Sequence, residues 1–239
     1  MPLLPLSMAG SIDGAMIESI MKERPIDELT ELVGHASMKD DELKPHRILR
    51  PPSTTGISDI FAIRSGLAWL YKVTSGGQQI QVVALRFPGD LVLPAELRSG
   101  YGVQALVASK VTAVAARDLP TDSFKNDACR LLLAAVERQH RIALQWLVRG
   151  TFEAAGKVAH LLCEVAERSG HVQQGDTPFS LPLTQHQIAA ITGQTAVNVN
   201  RVLASFSREG VLARTGRRRY TANWGLLRRL GRFDPTYLH

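Results

Sequence analysis

The stretch TQHQIAAITGQTAVNVNRVL, residues 184–203, constrains the fold more than any other part of the sequence. Thr184 and Gln187 form the T-x-x-Q pattern of a helix-capping box, directly ahead of an apolar run. Gly193 stands where a tight turn needs a residue that tolerates a positive φ. Ala189 is small enough to let a second helix approach the first closely. The pattern predicts two short helices joined by a tight turn, a helix-turn-helix.

The second helix of this pair, predicted to start near Thr195, carries polar side chains that can read DNA bases. The side chains expected to face outward are Gln194, Ala196, Val197, Asn198, Asn200 and Arg201. In a major groove, Asn and Gln can pair with adenine, Arg can pair with guanine, and Ala or Val can touch a thymine methyl group. A purely structural helix is the alternative, but it has no reason to use Asn, a poor helix former, twice in three positions.

The segment VLARTGRRRYTA, residues 211–222, predicts a β-hairpin with its turn at Thr215-Gly216. We call this hairpin the wing. Its arginines can meet phosphates beside the groove, and such contacts supply affinity and register rather than sequence choice. The residues predicted to contact phosphates are Thr184, Gln185, Thr195, Arg214, Arg217, Arg218 and Arg219.

The distribution of charge agrees with a polyanionic partner at this end of the chain. Residues 195–239 contain nine arginines and two carboxylates, whereas the formal charge of the whole chain is +6. All of the excess positive charge therefore lies in the last fifth of the sequence, which favours double-stranded DNA as the partner. A solvated basic face is the alternative that charge alone leaves open.

The hydrophobic pattern of the chain ahead of the helix-turn-helix indicates first strands and then helices. Short segments rich in β-branched residues, such as GLAWLYKV and QQIQVVALRF, alternate with Gly-containing turns and predict an antiparallel sandwich or barrel over residues 46–118. From Thr121 the pattern becomes helical. A seam at spacings of three and four predicts a long helix that pairs with its own copy, with packing on the β domain alone as the alternative. The seam consists of Leu132, Val136, Gln139, Ala143 and Trp146.

Several classes of protein lack support in the sequence. There is no nucleophile elbow, no metal-spaced set of His and Cys and no P-loop, so the chain is not expected to be an enzyme. Asp90 and Glu96 are interpreted as turn and surface residues. No apolar run is long enough for a membrane span. The two cysteines, Cys129 and Cys163, are expected to be buried free thiols, which suits the cytoplasm.

Taken together, these motifs resemble the CRP/FNR superfamily of bacterial transcription regulators. The resemblance covers roughly residues 45–225 and rests on FPGDL at 87–91, the long helix, and the helix-turn-helix with its wing. It implies an α+β fold, with a β-roll like the cyclic-nucleotide-binding domain, a dimerisation helix and a winged helix-turn-helix. It also implies a homodimer on a palindromic operator in the nucleoid, control by a small effector, and action on RNA polymerase.

The expected domains follow from this resemblance and from the sequence pattern. Residues 1–45 form an N-terminal extension with short helices between residues 15 and 34, and residues 46–120 form the β-roll. Residues 121–150 form the dimerisation helix, and residues 151–239 form the DNA-binding domain with a C-terminal extension. That extension, WGLLRRLGRFDPTYLH, reads as a short amphipathic helix that covers the winged domain.

The sequence departs from the cyclic-AMP-binding members of the superfamily. Leu93-Pro94 replaces the Gly-Glu that holds the ribose, and Gly102-Val103 lies near the position of the Arg-Ser that holds the phosphate. We therefore expect no tight cyclic-nucleotide binding, because the pocket lacks its aligned Arg. The candidate effector-pocket residues are Leu93, Glu96, Arg98 and Ser99.

Two further departures concern cofactors and the operator. Two cysteines in the helical region cannot form the N-terminal iron–sulfur cluster of the FNR branch, and no haem is expected, although His35 and His46 are conceivable ligands.

Within the recognition helix, Arg201 aligns with the family's base-reading Arg, whereas Val197 replaces the usual Glu. The expected operator therefore differs from the well-known half-sites. A haem- or ligand-binding sensor or interaction module, with the winged helix only as a scaffold, is the alternative function.

Overall fold

The N-terminal half contains seven strands in a computed structural model, which describes residues 38–49, 59–74, 80–115, 127–170, 178–216 and 218–238. The helices expected between residues 15 and 34 lie outside the described residues. The strands are β1 (Met38–Leu43), β2 (Asp59–Ser65), β3 (Ala68–Val73), β4 (Ile80–Arg86), β5 (Leu91–Val92), β6 (Gly102–Ala105) and β7 (Ser109–Ala115).

These strands form two antiparallel sheets that share one core. One sheet has the order β1-β7-β2-β5 and the other has the order β4-β3-β6. Phe61 and Ile63 from the first sheet and Leu70 and Val103 from the second belong to the same buried cluster. The apolar side chains that alternate with polar ones along these strands therefore meet between the two sheets, as the sequence pattern predicted.

The first strand lies before residue 46, where the β pattern begins in the sequence. It pairs with β7 from Met38↔Val114 to Leu43↔Ser109. Its sequence, MKDDEL, is polar because this strand lies at the edge of its sheet. Backbone hydrogen bonds define such a strand, and charged side chains protect its open edge. Hydrophobic periodicity therefore gave no signal for it.

One short helix lies within the β-roll, and two longer helices follow its last strand. Helix α1 (Pro94–Arg98) lies between β5 and β6, α2 (Asp127–Gly150) is the long helix, and α3 (Ala154–Arg168) begins after a short turn. The first part of the predicted long helix, before residue 127, lies outside the described residues. None of the helices that the structure describes is long and apolar enough to cross a membrane.

The C-terminal domain contains the predicted helix pair and the wing. Its elements are β8 (Phe179–Ser180), α4 (Gln185–Thr192), α5 (Ala196–Arg208), β9 (Leu212–Arg214), β10 (Arg219–Ala222), α6 (Trp224–Gly231) and a 3₁₀ helix (Pro235–Leu238). Strand β8 lies between α3 and α4, where the sequence pattern predicted no strand. Phe179 is buried and pairs with Tyr220, so the two strands of the wing belong to a three-stranded sheet with the order β8-β10-β9.

The C-terminal extension forms the expected helix, and α6 lies on α3. Trp224 and Leu227 of α6 are buried. A Cβ at Gly231 would lie 2.5 Å from the backbone nitrogen of His160, so only glycine fits at this close approach. His160 stacks on Tyr237 at 5.9 Å between ring centroids. The extension is therefore part of the core of the DNA-binding domain.

Candidate nucleic-acid interface

Helix α4 begins as the sequence predicted. The Oγ1 of Thr184 accepts a hydrogen bond from the backbone nitrogen of Gln187 at 3.2 Å. In return, the Oε1 of Gln187 accepts from the backbone nitrogen of Thr184 at 2.8 Å. The helix ends at Gly193, whose φ of 65° is the left-handed conformation that the turn requires. The capping box and the glycine turn are therefore confirmed.

Helix α5 presents its N-terminal half to solvent and buries the opposite side. Thr195 caps it by accepting a hydrogen bond from the backbone of Asn198 at 3.2 Å. The buried side consists of Val199, Val202, Leu203 and Phe206. Val197, Asn200 and Arg201 are exposed, and 71% of the surface of Val197 is accessible. An apolar side chain so exposed at the start of a helix is suited to contact with another molecule.

Three other residues that were expected to face outward, Gln194, Ala196 and Asn198, are only partly exposed. The Nε2 of Gln194 donates to the carbonyl of Ala154 at 3.1 Å, and its Oε1 accepts from the Nδ2 of Asn198 at 2.8 Å. Ala196 packs against the core. The turn therefore uses Gln194 to attach α5 to the start of α3, a long-range contact that the local sequence does not encode.

Residues from both helices meet at the edge of this surface. The Nε2 of Gln185, the first residue of α4, donates to the Oδ1 of Asn200 at 3.2 Å. Both side chains are exposed. The hydrogen bond orients the amide of Asn200, so its remaining donor and acceptor face outward in a fixed direction. Roles for these residues in reading bases or binding phosphates stay predictions.

The wing lies beside this helix pair. Strands β9 and β10 pair from Tyr220↔Arg214 to Ala222↔Leu212 and confirm the predicted hairpin. Arg214, Arg218 and Arg219 are exposed, and the Nε of Arg214 donates to the carbonyl of Gly216 at 3.0 Å. Arg217 lies outside the described residues. We call the exposed cations of the wing and the exposed face of α5, which packs against β9, the DNA face.

Two of the four candidate effector residues line a cavity, and the other two do not. Leu93 and Glu96 line a cavity of about 350 Å³ between the β4-β3-β6 sheet and α2. Arg98 and Ser99 do not line it. Glu96 is hydrogen-bonded within α1 to the backbone nitrogen of Leu93 at 2.9 Å and forms an ion pair with Arg86 at 2.5 Å. The interpretation of Glu96 as a surface residue is therefore wrong.

Asp90 is also not a surface residue. Its carboxylate is buried between the β-roll and the helices, where it pairs with Arg138 of α2 at 3.0 Å and with Arg168 of α3. Burial raises the pKa of Asp90, but the charges of Arg168, Arg138 and Arg86 outweigh this effect, and its pKa lies below the ordinary value. The aspartate of the FPGD turn thus connects three parts of the molecule.

A second buried carboxylate lies beside Asp90. Glu164 of α3 is fully buried and accepts a hydrogen bond from the indole nitrogen of Trp146 at 3.0 Å. Arg149 lies 3.9 Å from Glu164 and donates to the carbonyl of Ile191 at 3.3 Å. We call Asp90, Arg138, Arg149, Glu164 and Arg168 the interdomain polar cluster. Sequence reasoning missed it, because its partners are separated by up to 78 positions.

The predicted seam of the long helix is not a single surface. Trp146 is buried, Leu132 packs against the sheet, and the amide of Gln139 bonds the backbone of Leu91 at 2.8 and 3.1 Å. Val136 and Ala143 are exposed. Part of the predicted seam thus packs within the chain, because α2 is apolar on two sides and periodicity alone does not show which side covers the sheet. Pairing of the helix with its own copy stays a prediction.

The described residues include only some of the cysteines and histidines considered as buried thiols or cofactor ligands. Cys163 is buried, and burial raises the pKa of its thiol to about 12, as expected for a structural thiol. His46 is exposed, whereas His35 and the side chain of Cys129 lie outside the described residues. Among the described residues, no three His, Cys, Asp or Glu side chains are grouped so that they could hold a metal ion. The expectation that no haem binds stays a prediction.

Comparison with known proteins identifies the family. Residues 156–230 match the Crp-like helix-turn-helix domain. The regulatory protein CysR of Synechococcus elongatus is 30% identical over 184 residues, which cover 72% of this chain and 82% of that protein. This chain belongs to the CRP/FNR superfamily of transcription regulators. A second relative, the transcriptional activator FnrL of Cereibacter sphaeroides, is 27% identical over 168 residues, 66% of each chain.

Solved structures of this superfamily have the same fold. FixK2 from Bradyrhizobium japonicum aligns with a TM-score of 0.66 at 22% identity and covers 81% of this chain and 96% of its own. A CRP-family regulator from Thermus thermophilus aligns with a TM-score of 0.66 at 18% identity, covering 81% and 97%. The chain is thus a DNA-binding transcription regulator with an α+β fold, and its relatives are regulators rather than enzymes.

Proposed function

We propose that this regulator binds a palindromic operator as a homodimer, under the control of a small effector that occupies the cavity between the β-roll and α2. The observation that carries the proposal is the DNA face. It comprises the exposed Asn200 and Arg201 of the recognition helix and the exposed arginines of the wing, whose strand β9 packs against this helix. Side chains able to read bases and side chains able to bind phosphates therefore belong to neighbouring elements, which supports specific binding to duplex DNA.

The operator should differ from those of relatives whose recognition helices carry more charged base-reading residues. On the exposed part of α5, Val197 offers only apolar contact, which suits a thymine methyl group. Arg201 suits guanine, and the amide of Asn200, oriented by Gln185, suits adenine. The wing arginines supply affinity without sequence choice.

The exposed side of α2 supports the homodimer. One side of this helix covers the β-roll and α3 with Leu131, Ala135, Ile142 and Trp146. The opposite side leaves Leu133, Leu144, Leu147 and Val148 between 48% and 72% exposed. A helix that is apolar on both sides needs a second partner. A second copy of the same helix satisfies this need and brings two recognition helices to one face of the duplex.

The cavity supports control by an effector. Its wall combines Leu93 and Glu96 from the α1 region with Gln139 and Trp146 of α2. Trp146 also donates its indole hydrogen bond to Glu164 in α3, which belongs to the DNA-binding domain. A molecule in this cavity would therefore touch a side chain that contacts the DNA-binding domain. As its relatives are transcription regulators, we further propose that the DNA-bound dimer acts on RNA polymerase in the cytoplasm.

The proposal is tested by selecting binding sites from a random duplex library with the full-length protein. Palindromes whose half-sites are centred about 34–36 Å apart, one helical turn, are expected. Leu147→Glu should give a monomer by analytical ultracentrifugation and weaken binding to the selected palindrome. The matched control, Leu230→Glu, changes a half-exposed leucine of α6 and should stay dimeric. Selection without any recurrent sequence, or a monomeric wild type, would contradict the proposal.

A further inference from the structure

The wall of the cavity is mostly apolar. Leu70, Val83 and Ala84 come from the sheet, while Ile142, Ala143 and Trp146 come from α2. At about 350 Å³, the cavity lies near the lower end of the range of small-molecule sites. Such a space can hold a compact small molecule.

The two permanent charges in this wall cancel. Among the described residues that line the cavity, Arg86 and Glu96 carry these charges and are joined at 2.5 Å, while His140 and Tyr101 are the other titratable side chains of the wall. The Arg86 side chain is 7% exposed and that of Glu96 is 21% exposed. An anionic ligand would have to compete with Glu96 for Arg86 or lose its hydration without compensation, and either costs free energy. A cationic ligand meets the same obstacle at Glu96. The wall therefore favours an uncharged ligand.

We propose that the cavity binds a small, uncharged, largely apolar compound, because its wall is mostly apolar and its Arg86–Glu96 ion pair is already neutralised. The Arg86–Glu96 ion pair selects against cyclic nucleotides and other organic anions. This inference rests on the proposed function only in taking the ligand of this cavity to be the effector.

The test compares two fluorescent probes that share a dimethylaminonaphthalene ring system. Prodan is an uncharged ketone, and 6-dimethylamino-2-naphthoate has nearly the same size but carries a carboxylate. Titration of the full-length protein is followed by the blue shift and gain in emission. Prodan is expected to bind with one site per chain and at least tenfold more tightly than the carboxylate. Equal affinities, tighter binding of the carboxylate, or no binding of either probe would overturn the proposal.

Glu96→Gln tests the role of the ion pair. The amide retains an oxygen that can accept from Leu93 but leaves the charge of Arg86 uncompensated. The carboxylate probe should then gain at least tenfold in affinity, while the affinity of Prodan changes little. Glu42→Gln is the matched control, because Glu42 belongs to an exposed ion pair with Lys110. An unchanged preference in Glu96→Gln, with a circular dichroism spectrum like that of the wild type, would show that the pair does not set the ligand class.

A third variant shows whether the probes occupy this cavity. Ala84→Phe places a benzyl group in the space and should abolish the Prodan signal, whereas undiminished Prodan binding would refute the location. DNA binding of each protein is measured in parallel by fluorescence anisotropy. The charge preference without DNA binding would refute the proposed function and retain the ligand class. DNA binding without the charge preference would refute the ligand class and retain the proposed function.

Discussion

Arg218 and Arg219 of the wing are exposed, whereas Arg149 and Arg168 between the domains have almost no contact with solvent. The wing arginines lie among few carboxylates, so their charge is available to phosphates. The buried arginines face Asp90 and Glu164, so their charge is neutralised inside the protein. The same residue type therefore supplies intermolecular affinity in one region and intramolecular connection in the other.

This difference also explains what formal charge can and cannot show. The excess of arginine near the C-terminus is visible in a count, because nothing nearby in sequence neutralises it. The interdomain polar cluster is invisible in a count, because its cations and anions nearly balance. The following predictions separate the two roles, from the largest expected effect to the smallest.

Asp90→Ala should have the largest effect, a loss of about 3–5 kcal/mol in the free energy of unfolding. The reason is that Arg138 and Arg168 would stay buried without their shared carboxylate. Urea denaturation followed by circular dichroism measures the change. Asp41→Ala, at an exposed position of β1, is the control and should cost far less. Equal losses for both variants would show that the cluster does not connect the domains energetically.

Arg201→Ala should cost about 1–3 kcal/mol of binding free energy on the selected operator and relax the choice of one base. Fluorescence anisotropy on the operator and on its single-base variants measures both effects. Arg208→Ala removes an exposed arginine from the far end of the same helix and should leave base choice unchanged. If Arg201→Ala weakened binding to random duplexes equally, its role would be that of a phosphate contact.

Replacing both Arg218 and Arg219 by Gln should weaken binding to every duplex and lower the slope of log K against log salt by about 2. Each residue is expected to neutralise about one phosphate. Anisotropy titrations at several salt concentrations give the slope. A charge-matched control replaces the exposed Arg130 and Arg229, which lie outside the DNA face. If both pairs changed the slope alike, general charge rather than the wing would account for the affinity.

His160 should give a smaller, pH-dependent effect at the edge of the interdomain polar cluster. Burial lowers its pKa, although its hydrogen bond to Gly231 and the charge of Glu164 act in the opposite direction. The neutral ring is therefore favoured in the folded state. Its contribution to stability is fully present above about pH 6.5, the ordinary pKa, and is lost as pH falls through the lower folded pKa.

Urea unfolding between pH 7.5 and 5 should show this loss in the wild type and a flatter profile in His160→Gln. The imidazole donates from Nδ1 to the carbonyl of Gly231 at 2.9 Å, so Nε2 accepts from Tyr237 at 3.0 Å. Protonation of Nε2 would disrupt this arrangement. His186→Gln, at an exposed position of α4, should retain the wild-type profile. Identical slopes in His160→Gln and the wild type would assign the pH dependence to other groups.

Local features were predictable where neighbours in sequence are also neighbours in space. The capping box of Thr184, the left-handed Gly193 and the wing hairpin depend on contacts within a few residues, and the sequence contains all of them. The edge strand β1 and the short strand β8 were missed, because they are defined by pairing with residues about 40 or more positions away.

The candidate sites followed the same rule. Arg201 and Asn200 are exposed as predicted, whereas Gln194 turns inward to a carbonyl 40 positions away. Glu96 of α1 lines the cavity, but its partner Arg86 comes from strand β4. The sequence of the long helix did not show which of its two apolar sides covers the sheet and which faces solvent.

The sequence by itself determined the helix-turn-helix, its wing, the superfamily and the basic C-terminal end. These depend on backbone preferences, capping and periodicity, which act over a few residues. The tertiary structure decided which side of α2 stays open, and it brought Asp90 to Arg168 and Arg86 to the cavity. Long-range packing places charges in low-dielectric surroundings, and only that placement turns an ordinary carboxylate or arginine into a connector or a ligand site.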